Sequence, residues 1–113
     1  MLDYTIRERT TDNLDFELLA DGVAITLVGI DHVELHMIDS SKKTYRYNSN
    51  DDDSAITITE AAEGKVRFIP PDINVFLYRK SPYKLYFQVW DTAIEKYSVP
   101  EYDRFEIKVL KEF

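Results

Sequence analysis

The sequence contains no cysteine and only three glycines among its 113 residues. Without cysteine the chain cannot form a disulfide scaffold, a thiolate zinc site or a cysteine nucleophile. With so few glycines it lacks the glycine-rich loop that cradles phosphates and the Gly-x-Ser-x-Gly elbow that exposes a serine nucleophile. The sequence therefore predicts a protein that is not an enzyme and that needs no cofactor.

Basic residues are also scarce, since 14 Lys and Arg stand against 21 Asp and Glu for a net charge of −7. Binding to a phosphate backbone requires a basic surface, so we expect no nucleic-acid partner. The charge is uneven along the chain, because 14 of the acidic but only 5 of the basic residues lie in residues 1–64. This acidic first half is a candidate surface for packing beside other copies of the chain.

Long apolar runs are missing as well. The longest uncharged apolar stretch, Gly22 to Ile30, is far shorter than the roughly 20 residues of a membrane-spanning helix. The amino-terminal residues alternate and carry charge, which is unlike the apolar run of a signal peptide. We expect a protein without membrane contacts, which stays in the cytoplasm where it is made or leaves it inside a larger assembly.

Apolar residues that alternate with polar ones recur along the whole chain. In the strongest segment, residues 83–90, the side chains that share one face are Tyr83, Leu85, Phe87 and Val89. Strands are predicted at residues 3–9, 14–20, 23–28, 31–38, 43–48, 55–59, 65–69, 83–91 and 104–110, with single helical turns possible within 55–63 or 72–78. Short two-faced strands without a long helix indicate an all-β fold: a single-domain immunoglobulin-like antiparallel β-sandwich of about 7–9 strands spanning residues 1–113. A barrel of similar size is the alternative.

Two groups of polar residues are weak candidates for metal ligands. His32, Glu34 and His36 lie two residues apart on one face of a strand, and imidazole and carboxylate are ligands that zinc accepts. The second group is the oxygen-rich loop that contains Asn48, Asn50 and Asp52, which suits a hard cation such as calcium. The alternative interpretation is a solvent-facing strand surface and a charged hairpin tip.

Aromatic residues are abundant, with eight Tyr, six Phe and one Trp. Tyr86, Gln88 and Trp90 are predicted to share the strand face opposite Leu85 and Phe87. Exposed Tyr and Trp suit protein interfaces or sugar stacking, because each ring offers a large contact area at a low entropic cost. Covering of the sandwich core is the alternative role for these rings. The predicted contact residues are Tyr86, Gln88, Trp90, Tyr97 and Tyr102.

Several segments follow one another along the chain in a characteristic order. These segments are Arg7-Glu-Arg-Thr-Thr, Leu14-Asp-Phe-Glu-Leu, Asp21-Gly-Val-Ala-Ile-Thr-Leu-Val-Gly, Val33-Glu-Leu-His-Met, Ile56-Thr-Ile, Gly64-Lys-Val-Arg-Phe, Tyr83-Lys-Leu-Tyr-Phe-Gln-Val and Phe105-Glu-Ile-Lys-Val. In this order they resemble the immunoglobulin-like amino-terminal domain of upper baseplate (BppU-type) proteins from phages that infect Gram-positive bacteria. The resemblance covers nearly the whole chain.

The resemblance implies a structural protein of a phage or prophage virion, part of a baseplate or tail and assembled in the host cytoplasm. Its implied partners are other phage structural proteins and further copies of itself, with which it would form a homo-oligomer. Two other classes of function stay open. One is a carbohydrate-binding β-sandwich module whose aromatic rings stack on sugars. The other is a small metal-dependent enzyme that uses His32, Glu34 and His36.

Overall fold

The structure is a computed structural model that describes residues 3–20, 22–50, 55–90, 96–99 and 105–111. Within these residues the chain forms eleven strands and two short 3-10 turns, Ala61–Glu63 and Tyr78–Lys80. No helix in this part of the chain is long and apolar enough to cross a membrane. The strands are β1 (Asp3–Arg7), β2 (Leu14–Glu17), β3 (Leu19–Ala20), β4 (Val23–Ala24), β5 (His32–Ile38), β6 (Thr44–Asn48), β7 (Ile56–Glu60), β8 (Lys65–Phe68), β9 (Tyr83–Trp90), β10 (Lys96–Val99) and β11 (Phe105–Leu110).

The strands form two main sheets. The large sheet has the order β1-β11-β9-β5-β6, with β10 also paired to β9, and the small sheet has the order β2-β8-β7. The strand pairs are antiparallel apart from β1 and β11, which run parallel. Immunoglobulin domains have this arrangement of strands, with β2, β7 and β8 in one sheet and β5, β6, β9 and β11 in the other. The predicted immunoglobulin-like antiparallel β-sandwich is therefore confirmed.

The core lies between the two sheets. The ring of Phe16 in the small sheet packs against Phe87 and Phe105 in the large sheet, with ring centroids 5.1 and 5.3 Å apart. Alternation on β5 and β9 adds six further core side chains, because every second residue of a strand points to the same side; they are Val33, Leu35, Met37, Tyr83, Leu85 and Val89. Each fully buried side chain of this size stabilises the fold by about 1.5–3 kcal/mol.

A buried tyrosine anchors the start of β9. The side chain of Tyr83 is fully buried, and its hydroxyl accepts a hydrogen bond from the backbone N–H of Leu77 at 2.9 Å. Immunoglobulin-like sandwiches have such a tyrosine corner at this place, two residues before a cysteine of the inter-sheet disulfide in antibody domains. Here the residue two positions on is Leu85, also buried. Hydrophobic packing therefore takes the place of that disulfide.

The prediction is wrong in three segments, so the described residues form eleven strands where about 7–9 were expected. The strand predicted at 14–20 is divided at Leu18 into β2 and β3. The strand predicted at 23–28 is reduced to Val23–Ala24, and Val23 and Val28 are 69% and 65% exposed. Beyond β4 the chain leaves regular pairing and bonds to two different segments, since Ile25 N–H donates to Leu18 O and Leu27 N–H donates to Ala61 O. The strand β10, which pairs with β9, is not among the predicted strands.

The hairpin between β5 and β6 holds a lysine in the left-handed backbone region. Lys42 has a φ of 72°, and its N–H donates to Asp39 O at 3.1 Å to close the turn. Because glycine adopts this conformation without strain, Lys42→Gly should raise the free energy of unfolding by about 0.5–1 kcal/mol in urea titrations. The matched control is Lys43→Gly, where φ is not positive and the change should destabilise. Equal effects at both positions would contradict the prediction.

A histidine and aromatic face on the large sheet

Two groups of residues predicted separately from the sequence lie opposite each other in the large sheet. The register pairs His32 with Trp90, Glu34 with Gln88, and His36 with Tyr86. Residues directly opposite in an antiparallel pair project to the same side. Because their neighbours along both strands point into the core, all six side chains lie on the outer surface. We call this surface the His–aromatic face; its residues are His32, Glu34, His36, Tyr86, Gln88 and Trp90.

The imidazole rings of this face stack on the aromatic rings. His32 lies parallel to Trp90, with ring centroids 5.5 Å apart and an angle of 15° between the planes. His36 lies parallel to Tyr86 at 4.9 Å and 8°. Each imidazole thus covers one side of a large aromatic ring.

A carboxylate connects the two stacked pairs. Glu34 is only 9% exposed, its Oε2 lies 3.2 Å from His36 Nε2, and its Oε1 lies 3.6 Å from His32 Nε2. The other ring nitrogen of His32, Nδ1, contacts Asp31 Oδ2 at 2.5 Å. A carboxylate with so little access to water needs hydrogen-bond or ion-pair partners. The imidazoles provide them, so the charge of Glu34 is held within the face.

The three predicted zinc ligands therefore form a chain of contacts with the carboxylate in the middle. His32 and His36 stand four residues apart, a distance of about 13 Å along an extended strand, and they meet different oxygens of Glu34. Zinc requires its nitrogen and oxygen ligands to converge at about 2 Å from one point. Among the described residues, no group of three or more His, Asp or Glu side chains is placed to hold a metal ion.

The second group of predicted metal ligands lies at the end of β6. Asn48 Oδ1 accepts a hydrogen bond from the N–H of Asn50 at 2.8 Å, and Asn50 Nδ2 donates to Asp31 O at 3.2 Å. Both amides thus stabilise the turn that follows β6. Asp52 lies outside the described residues, so a cation in this loop stays a prediction.

The structure places three of the five predicted contact residues, Tyr86, Gln88 and Trp90, on the His–aromatic face. Tyr97 belongs to β10, and its backbone lies opposite Val89, whereas Ser98 lies opposite Gln88. Tyr102 lies outside the described residues. A contact role for both tyrosines stays a prediction.

A hollow beside this face was not foreseen from the sequence. It has a volume of about 460 Å³, and the side chains that matter here are His36, Ile38, Thr44, Arg46 and Tyr86. The alternation of Thr44 and Arg46 with Tyr45 and Tyr47 gave a signal that β6 has an outward polar side. The sequence could not show that this side borders the stacked pair of His36 and Tyr86.

The outer surface of the small sheet has a different character. Arg67 Nε contacts Asp15 Oδ1 at 2.8 Å, and Lys65 Nζ lies 3.4 Å from Glu60 and 3.2 Å from Glu63. Exposed pairs of this kind contribute about 0–1 kcal/mol each. Residues 1–64 supply strands to both sheets, so the acidic first half of the sequence does not correspond to one face of the sandwich.

No protein-family model matches the chain, and no curated protein matches it either. Among solved structures the chain is similar to Drosophila OTK, extracellular domains 3-5, with a TM-score of 0.43 and 11% sequence identity. The similarity covers 99% of this chain but only 33% of that one.

Proposed function

We propose that this protein is a non-enzymatic structural component of a phage or prophage virion, in a baseplate or tail, and that it acts through protein–protein contacts. The observation that carries the contact role is the His–aromatic face, with its two stacked ring pairs around a shielded carboxylate. The phage setting is supported by the resemblance of the ordered sequence segments to upper baseplate domains.

The composition of the face suits a protein interface. Interface cores are enriched in Tyr and Trp and poor in exposed charge. Tyr86 and Trp90 supply the rings, and the one carboxylate between them, Glu34, is already in contact with His32 and His36. A partner could cover this surface without removing an unpaired carboxylate from water, which keeps the desolvation cost low.

The face is also regular over its length. Strands β5 and β9 pair without interruption over seven residue pairs, so the face has no bulge to turn its side chains away. The outer surface of the small sheet presents ion pairs between its own side chains instead. Of the two outer surfaces, the large sheet is therefore the better candidate for contacts within an assembly.

Placing a negative charge at the centre of the face should weaken assembly. In Gln88→Glu the new carboxylate stands opposite Glu34, so a partner would have to cover two like charges, and we expect association to weaken by about tenfold or more. Light scattering after size-exclusion chromatography, of the protein alone and with the products of neighbouring genes, measures this effect.

The matched control is Thr59→Glu, which adds the same charge on exposed β7 of the small sheet and should leave association unchanged. If both variants weakened association equally, the contact surface would not be the His–aromatic face. A monodisperse wild-type monomer that binds none of the neighbouring gene products would contradict the proposal itself.

The carbohydrate-binding and metal-dependent alternatives make different demands on the same face. Sugar stacking needs an open ring surface, and here an imidazole lies against one side of both Tyr86 and Trp90. Glycan-array binding that Trp90→Ala abolishes would favour the carbohydrate module. A stoichiometric transition metal in protein purified without an affinity tag would favour the enzyme.

A further inference from the structure

We infer that the outer edge of β6 binds an extended acidic peptide segment of a partner protein, which adds to the large sheet as a further strand. This inference goes beyond the proposed function and does not depend on the phage setting. Three features of the described residues lead to it: the backbone of the edge, the regularity of the strand, and the charge around it.

The first feature is the direction of the backbone groups of β6. Val33 O accepts a hydrogen bond from Ser49 N–H at 2.9 Å, which makes that pair a hydrogen-bonded one. Hydrogen-bonded and non-bonded pairs alternate along an antiparallel ladder. The peptide groups of Tyr47 and Tyr45 therefore face β5, whereas those of Thr44 and Arg46 point away from the sheet. β6 ends the strand order of the large sheet in the described part of the chain.

The second feature is that this edge lacks proline and bulges, the backbone devices that discourage strand addition; its charged residue, Arg46, discourages a basic strand but not an acidic one. Natural edge strands often carry a proline, a bulge or an inward-pointing charge. β6 has no proline, and its register with β5 is unbroken over five residue pairs. By contrast β7, which ends the order of the small sheet, shifts register between Ile58 and Glu60. β6 is thus the more regular template for a new strand.

The third feature is local positive charge in an acidic protein. Arg46 is exposed, and in the described residues no carboxylate pairs with it or lines the hollow beside it. The carboxylate of Asp39 is fully buried and turned inward, and Glu34 contacts the histidines. Lysines surround the same end of the sheet, with Lys42 and Lys43 before β6 and Lys84 opposite Ile38.

These three features together indicate which kind of strand pairs with the edge of β6. Strand addition gains affinity from main-chain hydrogen bonds and specificity from pockets for alternate side chains. A side chain of the added strand would reach the hollow between Arg46, Thr44 and Tyr86. The guanidinium group of Arg46 favours a carboxylate in this hollow. Antiparallel pairing of two β6 strands would bring two copies of Arg46 together, and like charges on paired strands destabilise the pairing. An acidic strand is therefore favoured over a second copy.

Nuclear magnetic resonance of the 15N-labelled full chain provides the test. The probe is a short acetylated peptide in which glutamate alternates with threonine and valine, beside its glutamine counterpart and a version N-methylated at every residue. We expect amide shifts concentrated at residues 44–48 with the glutamate peptide. Binding should weaken with the glutamine peptide and disappear with the N-methylated one, which cannot donate to the edge.

Two matched variants test the charge. Arg46→Gln should weaken binding about fivefold, the equivalent of one ion pair of about 1 kcal/mol. Arg67→Gln, which removes the same charge from the small sheet, should change it less than twofold. The inference is overturned by shifts away from β6, by no shift there at any peptide concentration, or by equal effects of the two variants. Self-association through β6 in the absence of peptide would also overturn it, in favour of a second copy.

Discussion

Gly64→Ala is expected to lower the free energy of unfolding by about 3 kcal/mol or more, as measured by urea titration. Gly64 has a φ of 68°, a left-handed conformation that is strained for alanine. A Cβ atom at this position would also lie 2.5 Å from Ile25 O and 2.8 Å from Leu18 O. Both are backbone atoms, so the contact cannot be relieved by rotating a side chain.

The backbone around Gly64 has little freedom to move away. Gly64 O accepts a hydrogen bond from Leu18 N–H at 2.8 Å, and Leu18 O accepts one from Ile25 N–H at 2.9 Å. These bonds connect the end of β2, the start of β8 and the irregular link after β4. Moving the carbonyls to admit a methyl group would break bonds that join three segments, which is why the expected loss exceeds that of backbone strain alone.

Gly29→Ala separates the two causes. Gly29 has a φ of 79°, and no atom lies within 4 Å of the position that a Cβ would occupy. This variant carries only the left-handed strain, about 1–2 kcal/mol. Circular dichroism of both variants establishes that they fold. Equal losses at the two glycines would show that the close approach at Gly64 has no energetic effect.

The strands that sequence reasoning located well are long and two-faced. On β5 and β9, alternation continues over seven and eight residues, so one face is clearly apolar and the strand prediction follows. Alternation at Val23, Ile25 and Leu27 is equally clear in the sequence but lies in a link that bonds to two different segments. The alternation of residues within a segment cannot reveal which distant segments it bonds to. Strand β10 was not predicted for the same reason, because it is defined by its pairing with β9.

For the candidate site, too, the sequence predicted the local features but not the contacts between distant segments. Spacing alone placed His32, Glu34 and His36 on one strand face and placed Tyr86 with Trp90 on another. It could not show that the two faces coincide, because the register between β5 and β9 depends on contacts far apart in sequence. A register shift by one residue would have turned one set toward the core. The stacking of imidazoles on aromatic rings is thus a property of the fold.

The sequence around Asp39 indicates only a turn, since Asp commonly begins turns. In the structure its carboxylate is fully buried. Burial of this residue could not be predicted from a polar segment, Asp39-Ser40-Ser41, whose composition favours exposure. The donors that make the burial possible come from the following residues of the same hairpin and from the 3-10 turn Tyr78–Lys80, which is distant in sequence.

Asp39→Ala is expected to lower the free energy of unfolding by about 3–5 kcal/mol. Asp39 Oδ1 accepts hydrogen bonds from Ser41 N–H at 2.8 Å, Ser41 Oγ at 2.6 Å and Lys43 N–H at 3.1 Å. Oδ2 accepts one from the Tyr45 hydroxyl at 3.0 Å and lies 4.0 Å from Lys80 Nζ. Burial and the bond to Asp39 raise the pKa of Tyr45 to about 12, so the phenol keeps the proton that it donates. Alanine would leave all these donors without their acceptor.

Asp39→Asn is the milder companion variant. Its carbonyl oxygen can still accept from Ser41 and Lys43, but its amide group cannot carry the charge that faces Lys80. We expect a loss of about 1–3 kcal/mol, smaller than for alanine. Equal losses for the two variants would mean that the oxygen facing Ser41 and Lys43 contributes nothing, contrary to the geometry of the turn.

The same carboxylate should make stability depend on acid pH. Burial raises the pKa of Asp39, but hydrogen bonds from Ser41, Tyr45 and Lys43 outweigh it and hold the pKa below its ordinary value. A carboxylate whose pKa is lower when folded stabilises the fold fully above its unfolded pKa of about 3.9, and this contribution is lost as the pH falls through the lowered pKa. The stability difference between wild type and Asp39→Asn, measured in urea, should therefore be constant from about pH 7 to pH 5 and shrink below about pH 4. A difference that persists unchanged to about pH 2 would show that the charge of Asp39 does not stabilise the hairpin.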